Sequence, residues 1–266
     1  MSTCRTLAAG LAGLVAVAAS AAAVPKTDLP GSRLLLPLYV VDTISPAGVT
    51  TIFSLRNQLD VPAEIEIRYF RTHSPQAPQS SDQATLAGKQ VMPVNIRAVD
   101  NLQVDEDGFA RGFVVVEALT EGASIQGDYY RVTPGEDFAT GFRLLNVDAT
   151  SSDNDLCGLF TMRFLNGGGF DSGTTFIVWL DLDLAPSGEV FGLAAYDEPG
   201  NLLLTRTFAA DQVAFEVSAA ELLQPFVQDF GAIEFQFSDG GVGHVSAILS
   251  AGGRYSVGLE AACGDR

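Results

Sequence analysis

Beyond about residue 30, apolar and polar residues alternate in short runs broken by turn-forming residues. In "TIFSLRN", Phe53 and Leu55 fall on one face and Ser54 and Arg56 on the other. In "TFIVWLDLDL", Val178, Leu180 and Leu182 share a face, with Trp179, Asp181 and Asp183 opposite. "EIEIRYF" alternates as clearly, and "YDEPGNLLL" is a turn between two strands. A period of two predicts half-buried strands. Helical periodicity is scarce. The best helix is short, "SAAELLQPF", where Ser218 and Glu221 have capping-box spacing and Pro225 opposes extension. The fold class predicted is all-β.

The strand blocks recur in order. "LLLPLYVV" (34–41) stands as far before Gly48 as "LFTMRFLN" (159–166) before Gly173. "EIEIRYF" then aligns with "VFGLAAYD", "VNIRAVDNL" with "FEVSAAELL", "GFVVVEA" with "GAIEFQF", and "PGEDFATG" with "AGGRYSVG". The offset drifts from about 125 to 117, as changing loop lengths would make it. This predicts an internal duplication of one β-sandwich, with domains at 24–148 and 156–266 joined by a polar linker at 149–155. A protease cut between 146 and 155 is then expected to release two folded halves. "THSPQAPQSSDQA" (72–84), rich in Pro, Ser and Gln, is expected to be a mobile surface excursion.

Residues 1–23 stand apart. Arg5, the apolar "LAAGLAGLVAVAA" and the small residues "SAAA" form a secretory signal, with cleavage expected after Ala23. The apolar run is shorter than the roughly 20 residues that span a bilayer. No membrane insertion is expected once the signal is removed, and the destination is secreted, periplasmic or cell-surface. Signal removal discards Cys4 and leaves Cys157 and Cys263, at the two ends of the second repeat. In an oxidising compartment they form a disulfide. The corresponding places in the first repeat are Ser32 and Asn146.

Charge narrows the partners. The formal net charge is −17, and the halves differ: residues 24–150 hold 10 basic and 16 acidic side chains, residues 151–266 hold 4 and 16. Such a surface repels nucleic acid and anionic lipid. A protein or glycan partner at the cell surface fits better.

Catalytic groupings are sparse. The sequence has no G-x-S-x-G elbow, and its two histidines, His73 and His244, lie in apparent surface loops without a carboxylate at telling spacing. "NGGGF" and "DGGVG" lack the context of a nucleotide loop and read as hairpin turns. "VDEDGFARG" is a tight turn feeding a strand. No catalytic residue and no cofactor is assigned. Two binding sites are candidates. Asp148, Asp153 and Asp155 in the acidic linker could ligate calcium. Trp179 with Asp181 and Asp183 on one solvent-facing strand surface could bind a sugar, or calcium through the two carboxylates.

"GVTTIFSLRNQLDVPAEIEIRYF" resembles the opening of tandem immunoglobulin-like β-sandwich repeats in uncharacterised secreted bacterial proteins. There a Gly-x-Thr-Thr strand runs into an Asn turn, here Asn57, and an alternating strand ends in aromatics, here Tyr69 and Phe70. The second copy keeps Gly173, Thr174 and Thr175 without the intervening residue. The resemblance implies surface, adhesive or spacer modules and brings no catalytic residues. The function expected is an exported, non-enzymatic binding or structural protein of the cell envelope or extracellular space. One alternative is a secreted, carboxylate-based glycan hydrolase. Another is a subunit of an extracellular polymer assembling through "LLLPLYVV" as an edge strand.

Overall fold

The computed structural model describes residues 30–136, 138–148, 155–167, 172–181, 190–209, 212–226, 228–237, 241–251 and 255–263. The signal at 1–23, Asp153, Asp183 and most of the 149–155 linker lie outside them, as does half of the two glycine-rich turns.

The fold is almost entirely antiparallel β-sheet. The first half runs β1 (Arg33–Asp42), β2 (Thr50–Asn57), β3 (Ala63–Arg71), β4 (Ser80–Leu86) and β5 (Val91–Asn95). It continues through β6 (Phe109–Ala118), β7 (Ile125–Thr133), β8 (Phe138–Arg143) and β9 (Leu145–Asn146). The second half runs β10 (Leu159–Gly167), β11 (Ser172–Leu180), β12 (Val190–Asp197), β13 (Leu202–Ala209) and β14 (Ala214–Ser218). After α1 (Ala219–Leu223) come β15 (Phe230–Phe237), β16 (Gly243–Ala251), β17 (Tyr255–Glu260) and β18 (Ala262–Cys263). Ser218 caps α1, its hydroxyl accepting from the Glu221 N–H as the sequence predicts.

In the first half, one sheet has the order β4-β3-β6-β1-β9 and the other β5-β2-β7-β8. In the second, β13-β12-β15-β10-β18 and β14-β11-β16-β17 follow the same orders, strand for strand, with β10 and β11 also paired at their tips. Registers agree too: Leu34 opposes Val116 and Asn146, and Phe160 opposes Phe235 and Cys263.

A buried threonine ties sheet to sheet in each half. The Val40 N–H donates to Thr51 Oγ1 at 3.0 Å, and that hydroxyl reaches the Val40 carbonyl at 3.2 Å. Thr174 does the same with Leu165, at 2.9 and 3.0 Å. Thr51 thus matches Thr174, one residue from the pairing that the Thr-Thr motif suggests. Asn57, fully buried, organises its turn by donating to the Val61 carbonyl at 2.7 Å and accepting from the Leu59 N–H.

The Cys157–Cys263 disulfide joins the strand ends of the second half, with Cα atoms 5.9 Å apart. Closing a loop of 106 residues, it contributes roughly 4–5 kcal/mol on chain-entropy grounds. β18 runs antiparallel beside β10, as that bridge requires. In the first half the place of Cys157 falls to Gly31, not Ser32. Gly31 bridges Ile125 as Cys157 bridges Gly243, and a Cβ at Gly31 would lie 2.5 Å from the Asn146 side chain.

Three expectations change. Residues 72–84 are no free excursion: Thr72 is buried, its carbonyl accepts from the Val213 N–H, and Ser80 onward is strand β4. His244 lies buried in β16, not in a surface loop. "LLLPLYVV" is β1, hydrogen-bonded to β6 along its length and to β9 at its start, with every residue from 34 to 41 buried. A continuous apolar run belongs to a strand covered on both faces, and the second cover here is the other half of the chain. Ile177, Trp179, Val213, Ala214 and Ile248 of the second half belong to the apolar cluster of the first.

Thr51→Val and Thr174→Val each leave a buried backbone N–H without an acceptor, which costs about 1–3 kcal/mol. Urea unfolding of both variants should show midpoints lowered by similar amounts; an unchanged midpoint would contradict the sheet-tying role.

Candidate functional site

Where the halves meet, the outer face of the β3-β6-β1 sheet packs against the outer face of β11. Along β3, Ile65, Ile67 and Tyr69 point into the first core, so Arg68 and Phe70 face outward by the period of two. Phe113 and Val115 on β6, and Arg33 and Leu35 on β1, share that outward face. Val178 and Leu180 of β11 enter the second core, which turns Ile177 and Trp179 toward the first half. Phe70 stacks on Phe113 at 4.9 Å between ring centres, and Phe113 meets Trp179 edge-on at 6.1 Å. This aromatic row crosses the junction.

Packing there is incomplete. A cavity of about 350 Å³ remains between the halves, lined by the rings of Phe70, Phe113 and Trp179, by Arg33 and Arg68, and by Asp181. That volume lies within the roughly 300–1,000 Å³ range of small-molecule sites. The polar groups around it are unevenly satisfied. Trp179 is only 8% exposed, yet its Nε1–H has no acceptor, and the buried Nε–H groups of Arg33 and Arg68 have none either. Arg68 pairs with Glu117 and lies 3.6 Å from Glu66, whereas Arg33 pairs with no carboxylate among the described residues. A buried donor without a partner is disfavoured by about 1–3 kcal/mol. Three such donors belong to residues that line this cavity.

Trp179 therefore does not lie on a solvent-facing surface. The first half covers it, and the sugar-binding trio is divided: Trp179 and Asp181 line the cavity, and Asp183 is outside the described residues. The trio's partners Arg33, Arg68, Phe70 and Phe113 come from the first half, 66 or more residues away in sequence. The outward parity of "EIEIRYF", which exposes an Arg and a Phe together, was the available signal.

The acidic linker residues have protein partners. Asp155 is buried and accepts from Arg143 at 3.1 Å and from the Asn146 N–H at 2.7 Å. Asp148 accepts from the Ser32 hydroxyl at 2.5 Å, and Asp153 is outside the described residues. Among the described residues, no group of three or more His, Cys, Asp or Glu side chains is arranged to hold a metal.

Ion pairs also join elements at the junction. Arg143 of β8 also reaches Glu260 of β17 at 3.0 Å, and Arg131 of β7 pairs with Glu216 of β14. Burial opposes the charge on Arg143, but Asp155 and Glu260 outweigh it and raise its pKa. A second groove, of about 370 Å³ beside His73, contains Arg111, which Asp105 and Asp107 already hold at 3.1 and 2.7 Å.

No family description matches the chain, and no curated protein does. Among solved structures, it is similar to a glycosyl hydrolase family 2 member from Bacteroides cellulosilyticus DSM 14838, at 9% identity and a TM-score of 0.18, over 89% of this chain and 30% of that one. It is also similar to a protein described as a beta-galactosidase from Bacteroides fragilis, at 10% identity and a TM-score of 0.16, over 80% and 29%. The chain thus spans less than a third of either protein's length. Values this low assign neither family nor activity. No described helix is long and apolar enough to cross a membrane.

His244, next to this junction, gives a pH test. Burial first, and then the neighbouring Arg143 charge, lower its pKa from 6.5 to about 3, with a backbone bond to Asp155 opposing. The unfolded chain gains this proton near 6.5 and the folded chain only near 3. The stability that neutral His244 contributes is present above pH 6.5 and is lost as pH falls, by about 1.4 kcal/mol per unit. Unfolding free energies of wild type and His244→Phe between pH 7.5 and 5.5 check this: the variant should have the flatter profile. Parallel profiles would contradict a neutral, buried His244.

Proposed function

We propose that this chain is an exported, non-enzymatic binding protein of the cell envelope or extracellular space, with its ligand site in the cleft between two tandem immunoglobulin-like β-sandwich domains. The domains are read as products of one duplication. Matched strand orders, matched registers and the Thr51–Thr174 correspondence support that history. Export rests on the "LAAGLAGLVAVAA" segment behind Arg5.

One observation carries the binding reading: a cavity of about 350 Å³ at the junction is lined by Arg33 and Arg68 together with the rings of Phe70, Phe113 and Trp179. Binding without chemistry is favoured because Asp181 is the one carboxylate lining the cleft among the described residues, whereas glycan hydrolysis uses a pair. The second reading is the carboxylate-based glycan hydrolase, and Asp181 favours it by lining the same cleft beside Trp179.

Two measurements test this. N-terminal sequencing of the protein recovered outside the cytoplasm should begin at Val24; an intact Met1 would contradict export by a cleaved signal. Affinity electrophoresis through gels containing polysaccharides should show retardation by at least one of them, without new reducing ends after incubation. New reducing ends that disappear in Asp181→Asn would replace the binding reading with the hydrolase.

A further inference from the structure

We propose that copies of this chain associate head to tail, the first half of one copy docking on the second half of the next through the two faces that the internal junction leaves unused. Strand registers give the correspondence between halves. Phe70 opposes Phe113 as Tyr196 opposes Ala232, which puts Glu234 of β15 at the place of Val115 of β6. On the other side, the Thr51–Thr174 match puts Arg56 where Trp179 stands, Val91 where Ala214 stands and Tyr130 where Ile248 stands. At the junction, Trp179, Ala214 and Ile248 are buried against the first half. Their counterparts Arg56, Val91 and Tyr130 are all exposed on the outer face of β5, β2 and β7. The face of β12, β15 and β10 that corresponds to the covered one is open as well. Leu202 lies opposite Tyr196 there, Phe230 lies outward on β15, and both are exposed. Four large apolar side chains in water thus sit on two faces whose counterparts bury each other.

A second copy is the occupant because it brings the missing counterpart of each face. Charge agrees. In a chain with 32 acidic and 15 basic side chains, most surfaces would repel their own kind. The outward positions of β12, β15 and β10 instead carry one acid, Glu234, and one base, Arg163. Those of β5, β2 and β7 carry one base, Arg56, and one acid, Asp128. Docked as the halves are docked at the junction, Arg56 takes the part of Trp179 and meets Tyr196 and Glu234. A guanidinium is held well by an aromatic face beside a carboxylate. Glu234 already orders that ring, accepting from the Tyr196 hydroxyl at 3.0 Å. A charged pair at the centre, in place of the Phe113–Trp179 contact, makes this association reversible where the internal one is permanent. The contact joins unlike faces, so it closes a ring or extends a row of copies.

Sedimentation velocity of the full mature protein across a wide range of concentration tests this. The mass of the particle should rise above that of one chain as concentration rises. Arg56→Glu and Glu234→Arg should each weaken the association by about tenfold or more. Together they should restore it, because the pair is rebuilt with its signs exchanged. Val91→Asp, on the same outer face as Arg56, should also weaken it. Urea unfolding checks that each variant is folded, and the dilution series on wild type stands without them. A single-chain mass at every concentration would overturn the proposal. So would association that the folded single variants leave unchanged, or a double variant no tighter than either single one.

Discussion

The structure depends on burying two outward sheet faces against each other. Each half has an interior between its own pair of sheets, but β1 and β6 of the first half and β11 of the second are apolar on both sides. Left in water, the outer residues Leu35, Phe113, Val115, Ile177 and Trp179 would expose a broad apolar surface, which single domains seldom tolerate. Covering them fixes the halves as one body. Ion pairs at the rim, Arg131 with Glu216 and Arg143 with Asp155 and Glu260, then set the register of that contact. The cavity beside Trp179 is what remains where the two twisted faces do not fill the space between them.

That geometry explains how two similar units yield one asymmetric cleft. The strand orders repeat, but at the junction different faces are used: the outer surface of β3-β6-β1 in the first half and of β11 in the second. The cleft is therefore asymmetric, with arginines on one side and indole and Asp181 on the other. The disulfide follows the same asymmetry. It closes the second half alone, while Gly31 packs against Asn146 at the equivalent place in the first.

Much of this was legible in the sequence. The repeated blocks placed β3 against β12, β6 against β15 and β8 against β17 correctly, since alternation survives when identity does not. Ser218, Cys157 and Cys263 were legible because capping and cross-linking are local or pairwise chemistry. The contact between halves was not. A period of two separates the faces of a strand without saying what covers the second, so Trp179 between Val178 and Leu180 read as an exposed aromatic. The eight buried residues of β1 carried the missing signal, because nothing but double cover accounts for so long an apolar run. β4 was hidden for the opposite reason: as an edge strand most of its residues, Ser80 to Thr85, face solvent, and their composition resembles a loop. His244 was obscured by the glycines before it, although its own neighbours alternate as a strand.

The central claim is that the halves pack as one body with the cleft between them, and not as independent beads on a linker. The direct measurement is native size after a protease site introduced within 149–155 has been cut. The disulfide lies wholly in the second half and cannot hold the pieces together. Elution of the cut protein as one particle of the original mass is the result predicted. Separation into two folded halves, which the polar linker alone leads one to expect, would contradict the shared core, and with it the cleft.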